Sequence, residues 1–174
     1  MKKVYTVIFL FFLSYMSGYA QEKIQVIFFL LDDCTICESY TIKINELHAE
    51  HGETFDFIGY FPNFSSKKKK IEAFKNRYNI GFPLKTDYFH KQVDRFDIKV
   101  TPEVIVYNPE ENHIYYKGRI DNEFVRIGKR RQVVTTSELS DVLASLGNGD
   151  LRTFESTESI GCFINKNDPL KNIK

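Results

Sequence analysis

The feature that most constrains this sequence is a pair of cysteines placed where an apolar segment gives way to a helical pattern. Residues 24–31 (IQVIFFLL) form a nearly continuous apolar run, which is typical of a strand covered on both faces of a sheet. After Asp32 and Asp33, the motif CTIC, Cys34 to Cys37, opens a segment whose apolar residues recur at helical spacing up to Gly52. The pattern predicts a buried strand that delivers a CxxC pair to the N-terminus of a helix.

A cysteine at a helix N-terminus is favoured as a thiolate. The backbone N–H groups there have no intrahelical partner and the helix dipole is positive. Asp32 and Asp33 act in the opposite sense on the pKa of Cys34, because a nearby negative charge disfavours the thiolate. We expect a redox-active dithiol that is reducing rather than strongly oxidising. A purely structural disulfide and half of a zinc site stay open, although the chain shows no second paired ligand spacing for zinc.

Composition and charge narrow the class of protein. The chain has 174 residues, of which 43% are hydrophobic and 27% charged, as expected for one globular domain with a sizeable core. The formal net charge of +1 gives no basis for attraction to nucleic acid or to an anionic membrane. Neither is therefore expected as a partner.

The N-terminal residues 1–20 have the three parts of a secretory signal peptide. Lys2 and Lys3 are followed by the apolar run Val4–Leu13 and by small residues at Gly18 and Ala20. We expect cleavage after Ala20, an exported, periplasmic or otherwise extracytoplasmic protein, and no stable membrane insertion after cleavage. An uncleaved anchor is the alternative. Either location permits disulfide bonds.

The remaining pattern alternates strands and helices and then changes to a hairpin. The predicted order is a strand at 54–61, a helix at 67–78 capped by Ser65 or Ser66, an extended piece at 82–86, a weak helix at 88–96, antiparallel strands at 103–107 and 113–117, and a helix from Thr136 to Leu146. The polar residues 147–174 are expected to form a tail on or near the domain. The fold class is therefore α/β, with a central mixed sheet flanked by helices.

Several motifs resemble the thioredoxin-like redoxin family, in particular its exported bacterial members among thiol–disulfide oxidoreductases and peroxiredoxin-like proteins. They are the CTIC pair after the first long strand, the Thr101-Pro102 step, the hairpin with its last helix, and the segments VTPEVIVYN, YYKGRIDN, GKRR and IGCFI. The resemblance implies a thioredoxin-like domain at 21–146 with a C-terminal extension at 147–174. It also implies that Cys34 is the attacking thiolate and Cys37 the resolving cysteine.

The same resemblance assigns Thr101 and Pro102 to substrate binding. In that family the proline is cis and the backbone before it pairs with an extended substrate segment. The predicted function is thus thiol–disulfide exchange with protein thiols or disulfides, with an electron donor that the sequence does not identify. No cofactor and no metal are expected.

Two other functions stay open. A peroxiredoxin-like peroxidase would need Thr or Ser three residues before its reactive cysteine, where Leu31 precedes Cys34, although Arg119 offers the guanidinium of such a site. A non-catalytic redoxin-like module would bind a partner and keep its disulfide as a staple. The sequence also departs from thioredoxin itself, with no Trp before the motif and Phe28 where thioredoxin has a buried carboxylate.

Three further residues are auxiliary candidates. Because the buried carboxylate is missing, proton transfer is expected to be mediated by solvent or by another group, for which Glu38 is the candidate. Glu103 directly follows Pro102 and is either a polar group near the cysteines or an exposed strand residue. Cys162 is either a simple buried cysteine or part of a tail that folds back to exchange with Cys34 or Cys37.

Overall fold

The structure, a computed structural model, describes residues 23–165. The predicted signal peptide and the last nine residues of the predicted tail lie outside this range.

A five-stranded mixed sheet forms the centre of the domain, in the order β3-β2-β1-β5-β6. Strands β1, β2 and β3 are parallel, whereas β5 runs antiparallel to both β1 and β6. The strands of this sheet are β1 (Gln25–Phe29), β2 (Asp56–Phe61), β3 (Leu84–Thr86), β5 (Glu103–Asn108) and β6 (His113–Gly118). The predicted α/β class with a central mixed sheet is confirmed.

Both faces of the sheet are covered, which explains the nearly continuous apolar run of β1. The helices are α1 (Thr35–His51), α2 (Lys68–Arg77), α3 (Lys91–Phe96) and α4 (Glu138–Gly147). Apolar residues of α1, α2 and α4 form one core with Val26, Phe28 and Val104. Residues of α3 form a smaller core with Phe29 and Ile105. Because successive strand residues point to opposite faces, β1 contributes to both cores.

Two short strand pairs flank the central sheet. Strand β4 (Val100–Thr101) pairs antiparallel with β9 (Cys162–Phe163), and β7 (Phe124–Arg126) pairs antiparallel with β8 (Lys129–Arg130). The apolar and turn patterns of the sequence predict none of these four strands, since each has only two or three residues.

The segment after α4 runs back along the outer edge of the sheet. The N–H of Phe154 donates to the Tyr115 carbonyl over 2.7 Å, and the N–H of Thr157 donates to the Lys117 carbonyl over 3.1 Å. This close approach requires Gly118, since a Cβ there would stand 2.7 Å from the Thr157 carbonyl oxygen. The segment is thereby tied to β6 before it reaches β9.

Two helix starts differ from the sequence prediction. The predicted Ser65 or Ser66 cap is wrong, because Lys67 occupies the N-cap of α2 without a side-chain bond and the Ser66 hydroxyl donates to Asp32 instead. Helix α3 begins only at Lys91, where the Asp87 carboxylate accepts the N–H groups of the first turn. Within the described residues, no helix has the length and apolar character needed to cross a membrane.

Candidate active site

A disulfide joins Cys34 to Cys162, two residues separated by 128 positions in the chain, with their Cα atoms 6.3 Å apart. Cys34 is the N-cap residue of α1, and its carbonyl accepts the Glu38 N–H over 3.0 Å. It therefore lies at the helix N-terminus, where the sequence placed it. Its partner, however, is the tail cysteine rather than the second cysteine of the motif.

Cys37 is the free cysteine of the motif and is completely buried one turn into α1. Burial raises the pKa of its thiol to about 12, although hydrogen bonds from the Leu31 backbone and the Thr101 side chain act to lower it. The Leu31 N–H approaches the Cys37 sulfur to 3.4 Å. At neutral pH this side chain is consequently a protonated thiol.

Thr101 and Pro102 lie against the disulfide. The peptide bond between them is cis, which confirms that prediction. The Cys34 Sγ is 3.7 Å from the Thr101 carbonyl oxygen, and the Thr101 hydroxyl donates to the Cys162 carbonyl over 3.4 Å. In the β4–β9 ladder, Thr101 pairs with Cys162 and Val100 with Phe163. The predicted substrate-binding strand is thus occupied by the chain's own tail.

Gly161 makes the closest approach of the tail to this strand. A Cβ atom at that position would overlap the Thr101 carbonyl oxygen and would stand 2.5 Å from the carbonyl carbon and 3.1 Å from the Pro102 nitrogen. Ile160 packs against the larger core and lines a narrow cleft with Tyr40, Pro102 and Phe124. Phe163, on the other side of the cysteine, is 77% exposed.

The two aspartates before Cys34 have different surroundings. Asp32 accepts a hydrogen bond from the Ser66 hydroxyl, and the Lys70 ammonium lies 3.6 Å from its carboxylate. Asp33 is exposed to solvent. The Lys70 ammonium therefore offsets the charge of Asp32, whereas the charge of Asp33 is screened by solvent.

The auxiliary residues do not all converge on the cysteines. Glu38 is half-buried on α1 beside Cys37. Glu103 is 7% exposed, so the alternative of an exposed strand residue is wrong. Burial raises the pKa of the Glu103 carboxyl, opposed by the charge of Lys117. Glu103 lies two residues before Ile105 on β5, so both side chains are on the face of the sheet that packs against the smaller core. The cysteines belong to the larger core on the opposite face.

Arg119 is engaged by helix α4 rather than by the disulfide. Its guanidinium donates to the Glu138 carboxylate, with 2.9 Å between Nε and Oε1. Burial would raise the pKa of Glu138, but hydrogen bonds from Arg119 and other donors hold it below the usual value. Arg119 also lines the cleft beside Pro102. It therefore borders the site, but its guanidinium is paired with Glu138.

Sequence reasoning missed Gly161 and the pair Tyr40–Asp121. The Tyr40 hydroxyl donates to the Asp121 carboxylate over 2.6 Å. The pKa of Tyr40 is raised, mainly by burial and secondly by this carboxylate. The pair anchors the wall of the cleft that receives Ile160. In the sequence, the one feature that could have indicated this contact is Gly161 directly before Cys162, the cysteine outside the CxxC motif. Among residues 23–165, no cluster of His, Cys, Asp and Glu is arranged to hold a metal ion.

The order of the central sheet, the first helix that begins at a cysteine pair, and the cis proline beside it are those of a thioredoxin-like fold. The comparisons with solved structures agree with this class. A hypothetical protein of Sinorhizobium meliloti shares 19% identity and a TM-score of 0.70, with 83% of this chain and 80% of that chain covered.

An uncharacterized conserved protein of Geobacillus kaustophilus shares 18% identity and a TM-score of 0.71, with 88% of this chain and 82% of that chain covered. A secreted Mycobacterium tuberculosis disulfide oxidoreductase, described as homologous to E. coli DsbE, shares 18% identity and a TM-score of 0.52, with 72% of this chain and 83% of that chain covered. No family model matches the sequence. No curated protein matches it either. The chain has the thioredoxin-like fold of these structures.

Proposed function

We propose that this protein is an exported thiol–disulfide oxidoreductase in which Cys34 is the attacking residue. The observation that carries the proposal is the disulfide at Cys34, which lies at a helix N-terminus, next to the buried thiol of Cys37 and beside the Thr101 strand. A helix N-terminus stabilises the departing or attacking thiolate, so a disulfide there is suited to exchange.

The proposed reaction has two exchange steps. The reduced Cys34 thiolate attacks a substrate disulfide, forms a mixed disulfide and releases one substrate thiolate. Cys37 then loses its proton and attacks the Cys34 sulfur, which leaves a Cys34–Cys37 disulfide and a second substrate thiolate. An external dithiol, whose identity is open, returns the pair to the reduced form. The high pKa of Cys37 keeps it protonated until a base such as Glu38 or solvent removes the proton.

Cys162 enters the same chemistry as an internal partner. It is bonded to Cys34, as the substrate sulfur would be in the proposed mixed disulfide. Attack by Cys37 on Cys34 would release the Cys162 thiolate and form the Cys34–Cys37 disulfide, with no net oxidation. The protein therefore has two interconvertible oxidised forms, one with the tail bonded and one with the tail free.

Export is supported by the sequence of residues 1–20, by the tail disulfide, which is compatible with an oxidising compartment, and by the secreted neighbour from Mycobacterium tuberculosis. In this proposal residues 1–20 are removed, residues 21–146 form the catalytic domain, and residues 147–174 form the tail. Protein thiols and disulfides are the expected substrates.

A second candidate, a non-catalytic module with a permanent staple, is favoured by one observation. The disulfide spans 128 positions and fixes the tail over the strand that a substrate would use. We do not advance the peroxidase alternative, since Leu31 occupies the position of the required hydroxyl and Arg119 is bound to Glu138.

Disulfide reduction with dithiothreitol as the electron donor and insulin as the substrate tests the proposal. The wild type should accelerate the reaction, and Cys34→Ser should abolish the acceleration. The double variant Cys37→Ser with Cys162→Ser, reduced and then freed of dithiothreitol, should accumulate a mixed disulfide between Cys34 and an insulin chain, detectable by mass spectrometry. The matched control Cys162→Ser removes the tail bond but retains the CxxC pair, so it should remain active. Equal rates for wild type and Cys34→Ser would support the staple and overturn the oxidoreductase.

A further inference from the structure

The segment Ile160–Phe163 shows how a polypeptide lies in the groove beside Cys34. It runs antiparallel to Val100–Thr101, with its cysteine opposite Thr101 and its sulfur bonded to Cys34. This is strand addition to a short free edge, a general mode of peptide binding in which the backbone supplies affinity and the side-chain positions supply selectivity. The tail thus displays the residue preferences of the groove.

The position directly before the cysteine has room for glycine alone. A Cβ there would collide with the carbonyl group of Thr101, which is backbone held in a strand and fully buried. A flexible side chain could move aside, whereas this carbonyl cannot move without breaking the β4–β9 ladder. The groove therefore discriminates at this position by steric exclusion.

The neighbouring positions have different demands. Ile160 packs on the larger core in a cleft walled by Tyr40, Ile120 and Phe124, so an apolar side chain is favoured two residues before the cysteine. Phe163, one residue after the cysteine, is 77% exposed and its side chain is not selected.

We propose that the groove selects, as substrates, extended protein segments of the pattern apolar-Gly-Cys, bound antiparallel to Val100–Thr101. The inference rests on the proposed function and adds its substrate class. Before the reaction, the cysteine of the bound segment is joined by a disulfide bond to a second thiol, which can belong to any molecule. The Cys34 thiolate attacks the sulfur of the bound cysteine and expels the other thiol as a thiolate, which leaves the segment in the position now held by Cys162.

The test uses the full chain with Cys37→Ser and Cys162→Ser, so that Cys34 is the one reactive thiol and no resolving step follows. Peptides spanning the tail sequence SIGCFI are activated at cysteine as 2-thiopyridyl disulfides, and release of the thiopyridone is followed by absorbance. A second peptide carries alanine in place of the glycine. A third carries alanine in place of the phenylalanine and serves as the control. The unbonded tail competes equally with all three, so ratios of their rates are unaffected.

The glycine peptide should react about tenfold or more faster than its alanine counterpart, since the added methyl has no space. The control peptide should react within about twofold of the parent, as expected for an exposed position. Equal rates for the glycine and alanine peptides would overturn the selectivity and leave the oxidoreductase standing. Failure of all three peptides to react with Cys34, in a folded protein, would overturn both proposals.

The same selectivity is measurable within the chain. In glutathione buffers, Gly161→Ala in the Cys37→Ser protein, where Cys34 and Cys162 form the one possible internal disulfide, should lower the equilibrium constant for that disulfide by about tenfold or more. Phe163→Ala is the matched control and should leave it unchanged. An unchanged constant for Gly161→Ala would show that the Thr101 carbonyl does not exclude a side chain and would overturn the inference.

Discussion

In a Cys37→Ser background, where Cys34 has no partner other than Cys162, replacing Cys162 by serine should lower the unfolding free energy of the oxidised protein by about 5 kcal/mol. The magnitude follows from the 128 positions that separate the bonded cysteines, since a cross-link removes more entropy from the unfolded chain as the closed loop lengthens. A disulfide between Cys34 and Cys37 would close a ring of only a few residues and would contribute about 2 kcal/mol on the same relation. With Cys37 present, the oxidised Cys162→Ser protein can form that shorter bond, so its loss should be only about 3 kcal/mol.

Urea unfolding of the oxidised proteins at pH 7, followed by circular dichroism with and without reductant, provides the measurement. In the Cys37→Ser background, Cys34→Ser should match Cys162→Ser, and Cys37→Ser by itself should retain the contribution of the tail disulfide because Cys34 and Cys162 are both present. Reductant should bring the Cys37→Ser protein down to the level of its Cys162→Ser derivative. A loss for Cys34→Ser without one for Cys162→Ser, or a difference for Cys162→Ser that persists under reduction, would refute the tail pairing as the source of stability.

Three further predictions concern the buried groups around the site. The first compares Cys37 with Cys37→Ala in a protein without the other two cysteines. Above pH 9, the unfolding free energy of the Cys37 protein should fall relative to Cys37→Ala by about 1.4 kcal/mol per pH unit, because the folded thiol, with its pKa of about 12, retains a proton that the unfolded thiol releases. Urea unfolding from pH 8 to 10.5 tests this. Glu138→Gln should lower stability by about 1 to 3 kcal/mol at pH 7. Since the folded pKa of Glu138 is depressed, the difference should shrink as pH falls below 4.5, and an unchanged difference at pH 3 would contradict the role of Arg119. Gly118→Ala should destabilise by about 1 to 3 kcal/mol through collision with the tail backbone, whereas Gly147→Ala, which meets no atom within 4 Å, should not; thermal unfolding compares them.

The elements with a strong hydrophobic period could be predicted from the sequence. The apolar run of β1 and the helical spacing after Cys34 locate the first strand and α1, and the turn residues 108–112 locate the hairpin β5–β6. In these elements the pattern extends over enough residues for local preference and burial to agree. The α/β class and the thioredoxin-like arrangement follow from their order.

The tail disulfide could not be predicted in the same way. Strands β4 and β9 have two residues each, so they carry no period, and their partners lie 61 positions apart in the chain, as the Thr101–Cys162 hydrogen bond shows. The local spacing of the motif favoured a Cys34–Cys37 bond, whereas the bond observed depends on the path of the tail along β6 and on the missing side chain of Gly161. Both are properties of the assembled backbone.

The hydrogen bonds of Phe154 and Thr157 to strand β6 have a consequence for self-association. A bare outer strand invites pairing with another molecule, and proteins commonly shield such strands. The opposite border of the sheet, β3, has only three residues, whereas β6 has six. A protease cut between α4 and Phe154, in a molecule whose tail disulfide is reduced, would uncover the longer border. Cleaved, reduced molecules should then join strand to strand, so the tail would shield the β6 edge as well as occupy the groove.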